Sequence, residues 1–288
     1  MLPIQKILQP VDFSQGSLRM TAYAKALALK YGVLKGGAEL TLLHVMNPMY
    51  SFPATAISGP AFVPVSESVI EEHEKHLQEF AVDELQGVPV RRLIYEGEVV
   101  EQIAEFAQSE NIDLAVMSTH GHGVLRRFLI GSTAAKILHD VTCPVLTGAH
   151  VSDNIEGTPA FSNILCAVDL DSHAEETLTW ASQFAADFQA RLSLVHVVND
   201  PDTADQAREE LKILQTNSAT PASTIYIDTG DPAKTVCSVA RNACADLLVI
   251  GRGANDDSTG VLSSTAYAII RQSPCPVVSL VGPQTTKK

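Results

Sequence analysis

The sequence predicts an α/β fold made of two tandem, doubly wound parallel sheets of five strands each. Three observations predict it. Apolar runs of strand length, such as Ile112-Asp113-Leu114-Ala115-Val116-Met117, alternate with stretches of helical spacing, the pattern of parallel strands buried on both faces. The second half repeats the first in register. Ile164-Leu165-Cys166-Ala167-Val168-Asp169 echoes Ile7 to Asp12, Leu192 to Asn199 echoes Leu40 to Asn47, Asp246 to Ile250 echoes Asp113 to Met117, and Cys275-Pro276-Val277-Val278 echoes Cys143 to Leu146. With 288 residues and 45% hydrophobic content, the chain is large enough for two cores.

In the first copy, a strand over Ile4 to Gln9 runs into Pro10-Val11-Asp12-Phe13-Ser14, where Asp12 or Ser14 is placed to cap a helix. Leu18, Ala22, Ala26 and Leu29 are expected on that helix's inner face. Gly36-Gly37 precedes a second strand, Ala38 to Val45. Asn47 to Ser66 holds four prolines and is read as a lid or a partner-facing loop. An acidic helix from about Glu67 to Leu85 reads as solvated, His73 and His76 included. A strand over Val88 to Tyr95, a helix over Val99 to Ser109, the strand ending at Met117, a glycine-bearing loop, a further helix and a strand at Cys143 to Leu146 complete the copy. Corresponding positions differ by 157 at Asp12, 152 at His44 and 132 at Cys143, and the largest drop falls where the first copy has its proline-rich loop. The domains are therefore expected at 1–150 and 161–283, joined by a linker at 151–160.

Composition excludes several functions. A net charge of −13 without a long basic block opposes nucleic-acid binding. No apolar run reaches the ~18 residues of a membrane helix, and the first residues lack the features of a signal peptide, which points to the cytoplasm. The five cysteines lack C-x-x-C spacing and sit in apolar runs, as reduced small hydrophobes would. His120 and His122 lack a third and fourth partner, so no metal site is assigned. His44 and His196 end matching strands, which favours packing or hydrogen bonding over catalysis.

In open parallel sheets, ligands sit outside the carboxyl ends of the strands. Asp12, the residues after His44 and the loop from Ser118 all lie there. In that loop Gly121 and Gly123 allow close backbone approach, and Gly131-Ser132 would open a helix whose free N–H groups and dipole face an anion.

Pro10-Val11-Asp12-Phe13-Ser14, Leu42-Leu43-His44-Val45, Met117-Ser118-Thr119-His120-Gly121, Leu129-Ile130-Gly131-Ser132 and Cys143-Pro144-Val145 together resemble the universal stress protein family in its tandem form. The resemblance spans nearly the whole chain and implies a Rossmann-like fold, akin to the adenine nucleotide alpha hydrolases. The nucleotide-binding branch is similar in its pattern G-x-x-G, nine residues, G-[ST]. Gly121, Gly131 and Ser132 match it; Ser118 stands where the first glycine would be, and serine disfavours backbone angles that glycine permits. The resemblance implies ATP as ligand, with Mg²⁺, in the first copy. It places Asp12 by the adenine and ribose, Val45 on the adenine through its backbone, Gly121, His122 and Gly123 by phosphate or ribose, and Gly131, Ser132 and Thr133 on phosphate oxygens, with Pro10, Val11, Ser14, Met117, Ser118 and His120 also in the binding site. Arg126 and Arg127 add positive charge or face solvent.

The second copy departs from the pattern. Ala254 takes the second glycine's place, and Ser263 or Ser264 the third's. Thr119 to Ser132 carries +2, whereas Arg252 to Thr265, with Asp256 and Asp257, carries −1. Tight ATP binding is therefore expected in the first copy only. The two copies are expected to pair through their fifth strands as a pseudo-dimer within the chain, which leaves room for a homodimer and for a protein partner. The chain reads as a nucleotide-responsive stress or signalling protein. The alternatives are a slow ATPase or phosphotransferase using the same site, and a nucleotide-free interaction module. Binding is favoured over catalysis because no base or nucleophile stands at a recognisable offset.

Overall fold

The computed structural model describes residues 2–35, 37–47, 67–121, 130–148, 157–252 and 262–281. The proline-rich loop over 48–66, the loop residues 122–129, the linker residues 151–156 and the second loop at 253–261 lie outside them.

The first half runs β1 (Lys6–Pro10), α1 (Gln15–Lys35), β2 (Glu39–Met46), α2 (Glu67–Glu79), β3 (Val90–Glu96), α3 (Val99–Ser109), β4 (Leu114–Ser118), α4 (Ser132–Asp140) and β5 (Val145–Gly148). The second half runs β6 (Asn163–Ala167), α5 (Ala174–Phe188), β7 (Arg191–Val198), α6 (Ala204–Leu214), β8 (Thr224–Thr229), α7 (Pro232–Asn242), β9 (Leu247–Gly251), α8 (Ser264–Gln272) and β10 (Val277–Leu280). Short 3₁₀ turns at Pro201–Thr203 and Gln215–Asn217 flank α6. The strand order is β3-β2-β1-β4-β5-β10-β9-β6-β7-β8. Each half is parallel throughout, with its switch point between β1 and β4, or between β6 and β9. Repeated side chains set the register at the opposite ends of the strands. Asp113 Oδ2 accepts the N–H groups of Gln5 and Lys6, and Asp246 Oδ2 those of Ser162 and Asn163.

The two halves form one ten-stranded sheet because β5 and β10 pair antiparallel. Leu146 faces Val278, while Val145 faces Ser279 and Thr147 faces Val277. These strands correspond at an offset of 132, so Leu146 faces its own counterpart and the seam has the self-complementary form of a twofold interface. Pairing consumes both strand edges, which would otherwise be exposed templates for association.

The inner face of α1 includes Ala26, and Leu18 packs against it, as expected, but it is centred elsewhere. Met20, Ala24, Leu27, Ala28 and Tyr31 are buried, whereas Leu29 is 38% exposed. The reason is polar. Gln9 on β1 is fully buried, and its Nε2 donates to Ser17 O (2.8 Å) and Thr21 Oγ1 (3.1 Å), which turns the Ser17–Thr21 side of α1 inward. Helix α2 stops at Glu79 rather than near Leu85. Arg92 of β3 donates to the carbonyls of Leu77 and Phe80, closing that end.

Candidate functional site

The crevice at the carboxyl ends of β1, β2 and β4 is a cavity of ≈ 340 Å³. It is lined by Pro10, Val11, Asp12, Val45, Met117, Ser118, His120, Gly121, Gly131, Ser132 and Thr133, all expected from the sequence. Ser14 is not among the lining residues. It is buried, and its Oγ accepts the Ser17 N–H at 3.1 Å as the cap of α1. His122, Gly123, Arg126 and Arg127 lie outside the described residues.

Asp12 is held from its own segment. Oδ1 accepts the Ser14 N–H (3.0 Å) and the Ser17 hydroxyl (2.5 Å). A Cβ on Gly121 would come within 2.7 Å of Asp12 Oδ2, so any side chain there would displace the carboxylate. Ser118 is not in the left-handed region, so serine sits in the first glycine's place without backbone strain. Its hydroxyl donates to His120 O at 2.7 Å.

Gly131 is the N-cap of α4, and having no side chain it leaves the first turn uncapped from that position. Its own N–H donates to Thr119 O at 2.8 Å, which fixes the helix start against the end of β4. The counterpart in the second half is Ser263, whose N–H donates to Arg252 O at 2.9 Å in the same way. Ser263, however, has a side chain, and its Oγ accepts the Ala266 N–H at 3.1 Å. One helix start is open toward its crevice and the other is closed by its own residue.

Sequence reasoning missed two features. The first is Arg252, whose charge was counted with the second loop. Its side chain is buried at 1% exposure and crosses the seam. Nη1 donates to Leu138 O (2.8 Å) and Val141 O (2.6 Å), Nη2 to Cys143 O (2.9 Å) and Nε to Ser279 Oγ (3.2 Å). Burial lowers its pKa to about 10, with Cys143 acting the other way, so it stays charged at neutral pH. A cation at the carboxyl end of α4 suits the helix dipole. The guanidinium is thereby held by carbonyls of the first half and by Ser279 of the second.

The second is a histidine pair. His44 Nδ1 lies 2.8 Å from Val11 O, which can only accept, so Nδ1 carries the proton. His44 Nε2 then accepts from His73 Nδ1 at 2.8 Å when both rings are neutral. Phe13 packs on His44 with ring centroids 4.3 Å apart. His73 therefore docks α2 against β2, in contrast to the solvated face expected for it. His196 Nδ1 likewise donates to Val168 O at 2.7 Å, so in both halves this histidine fixes the carbonyl just before the aspartate. Burial pushes the His44 pKa down; His73 and His76 add to that, and the Val11 carbonyl and Asp12 oppose it. Among the described residues, no group of three or more His, Cys, Asp or Glu side chains could hold a metal ion, and no helix is long and apolar enough to cross a membrane.

Comparison with known proteins agrees with this arrangement. A universal stress protein of Methanocaldococcus jannaschii, MJ0531, is 31% identical over 145 residues, which cover 49% of this chain and 80% of that protein. A universal stress protein of Mycolicibacterium smegmatis is 25% identical over 270 residues, covering 86% of this chain and 88% of the relative. The crystal structure of a universal stress protein from Archaeoglobus fulgidus superposes with a TM-score of 0.71 at 23% identity, covering 96% of both chains, and shares the fold. The family model of the universal stress proteins matches residues 3–147 and again 160–280, so the chain belongs to the universal stress protein family.

Proposed function

We propose that the first-half crevice binds ATP with Mg²⁺ and that the protein is a nucleotide-responsive stress or signalling protein of the cytoplasm. The observation that carries the reading is the open start of α4 at Gly131, facing a cavity that also holds Asp12 and Val45. In this reading Asp12 and Val45 hold the nucleoside end. Ser132 and Thr133 offer backbone N–H groups and hydroxyls to phosphate oxygens at the helix start that Gly131, its own N–H held by Thr119 O, leaves open, and Gly121 keeps the Asp12 side of the crevice clear. His122 and Gly123 are read at the phosphate or ribose from the family resemblance, and Arg126 and Arg127, in the same loop, would add positive charge. Magnesium would neutralise phosphate charge. The side chains described here bind and orient, and the Asp12 carboxylate is engaged by Ser14 and Ser17. That favours a sensor with little turnover over an ATPase or phosphotransferase.

The test is equilibrium dialysis of nucleotide-stripped protein against Mg-ATP, with Gly131→Asp as the comparison and ADP release followed in parallel. The reading expects ATP retained by the wild type, lost in the variant, and no steady ADP release. Equal binding by both proteins would remove the phosphate site from Gly131. Steady ADP release that disappears in Gly131→Asp would make the protein an enzyme.

A further inference from the structure

The seam between the halves departs from its twofold form at Arg252. Helices α4 and α8 correspond at the same offset of 132 as β5 and β10, and so do Val141 and Ser273, and Cys143 and Cys275. Both helices end on the same backbone bond, from Val141 N–H to Ile137 O and from Ser273 N–H to Ile269 O. The carbonyls around that bond are satisfied differently. In the second half Ser273 Oγ donates to Cys275 O at 2.7 Å, so the turn closes on itself. In the first half Val141 stands in that place, and its side chain has no donor. The guanidinium of Arg252, reaching from the end of β9, takes Cys143 O together with Leu138 O and Val141 O. Thr119 is the counterpart of Arg252, because its carbonyl accepts the Gly131 N–H as that of Arg252 accepts the Ser263 N–H. Thr119 Oγ1 lies 2.8 Å from His120 Nδ1, within its own half. The contact therefore runs one way, from the second half to the first.

That direction leads to the first crevice. Arg252 is buried and charged at neutral pH, and it sits at the carboxyl end of α4, where a cation strengthens the helix dipole. The start of α4, at Ser132 and Thr133, lines the crevice. Nine residues at a rise of 1.5 Å place that start about 14 Å from the last turn. Across a protein interior a charge at that range is screened less than in water. The helix is also pinned at both ends, by Thr119 O on the Gly131 N–H and by Arg252 on the Leu138 and Val141 carbonyls. A shift of so short a helix at its far end is carried to the crevice.

We propose that Arg252 is a positioning residue for the first-half nucleotide site, acting from the second half by fixing α4 and strengthening its dipole toward phosphate. The inference rests on the reading of the first crevice as an ATP site. It gives the second half a part in that site whether or not the second half holds a ligand of its own.

The experiment uses the full, nucleotide-stripped chain as wild type, Arg252→Met and Arg252→Lys. Calorimetry measures Mg-ATP affinity, and proton–nitrogen NMR spectra follow the Arg252 Nε–H, assigned by its absence from the variants. Methionine removes the charge and the donors, and should weaken Mg-ATP about tenfold. Lysine keeps a charge and donors for the same carbonyls, and should restore affinity to within about threefold of wild type. In the wild type the Nε–H signal should move as Mg-ATP is added and saturate at one equivalent per chain. A residue that merely closes the seam would show no such movement. Mg-ATP affinity of Arg252→Met within about twofold of wild type, a lysine variant no tighter than the methionine one, or a stationary wild-type signal would each overturn the proposal. Should Arg252→Met fail to fold, the wild-type signal decides alone. Absence of Mg-ATP binding heat in the wild type would refute the reading of the first crevice itself, and this inference with it.

Discussion

Replacing Gly131 with serine should make the ligand-free protein slightly more stable and its ATP binding much weaker. Gly131 has φ −60° and ψ 149°, and Ser263 has φ −63° and ψ 155°, so a serine fits the backbone of the first half without strain. Its Cβ would lie 3.4 Å from Thr119 O, a close but tolerable contact. By analogy with Ser263 and Ala266, the new hydroxyl would take the Ala134 N–H. Glycine is already an adequate cap, so the gain in stability is only a few tenths of a kcal/mol, about 1 °C in melting temperature for a domain of this size. The loss on the ligand side is larger. A hydrogen bond to a charged group contributes about 1.5–3 kcal/mol, so competition for one phosphate-facing N–H weakens ATP about 10- to 100-fold. Gly131→Ala separates crowding from capping, because it brings the same Cβ without a hydroxyl. It should lower stability by about 0.5–1 kcal/mol and leave ATP affinity within a few-fold. Calorimetry with Mg-ATP and a thermal melt of nucleotide-free protein read both effects. ATP affinity within twofold of wild type in Gly131→Ser, or equal losses in serine and alanine variants, would refute the capping argument.

Three further outcomes follow from the same geometry. Gly121→Ala places a Cβ 2.7 Å from Asp12 Oδ2, so the carboxylate must move; ATP should weaken about tenfold with little change in melting temperature, as read by calorimetry. Arg252→Met leaves the Leu138, Val141 and Cys143 carbonyls without their donor at the seam. Unfolding in urea should show a loss on the order of 3 kcal/mol, and an unchanged midpoint would mean that water replaces the guanidinium without cost. Burial favours the neutral form of His44 in the folded chain, whereas the unfolded chain takes up a proton near the ordinary value of 6.5. The His44 contribution to stability is therefore present above that pH and lost as pH falls below it. The urea midpoint should drop between pH 7.5 and pH 5.5 and drop less in His44→Asn; parallel curves would contradict the assignment.

The fold was legible because its signals are local or repetitive. Strand-length apolar runs, helical spacing and the in-register echo from Asp12 to Asp169 require no knowledge of long-range contacts. Most of the first crevice was legible for the same reason, since Asp12, Val45, Gly121 and Gly131 fall at strand ends and at a helix start. What the sequence concealed depends on partners far along the chain. Arg252 bonds to residues 109 to 114 positions away, and nothing beside it distinguishes a seam arginine from a phosphate-binding one. His73 sits among Glu71, Glu72 and Glu74, so its helix reads as solvated until His44, 29 residues earlier, is seen to reach it. Ser14 is a residue type that suits either a ligand or a helix cap, and only its bond to the Ser17 N–H shows where its hydroxyl is used. On α1 the sequence locates Ala26 and Leu18 but not the rotation that exposes Leu29, because buried Gln9 decides which side turns inward.

The asymmetry between Gly131 and Ser263 is the central claim, and the stoichiometry of Mg-ATP binding to the intact, nucleotide-free chain tests it most directly. Isothermal titration should give one site per chain. Two sites of similar affinity would show that Ser263 and the carboxylates beside it do not exclude phosphate, and no site would show that an open helix start above Asp12 is not enough to bind ATP.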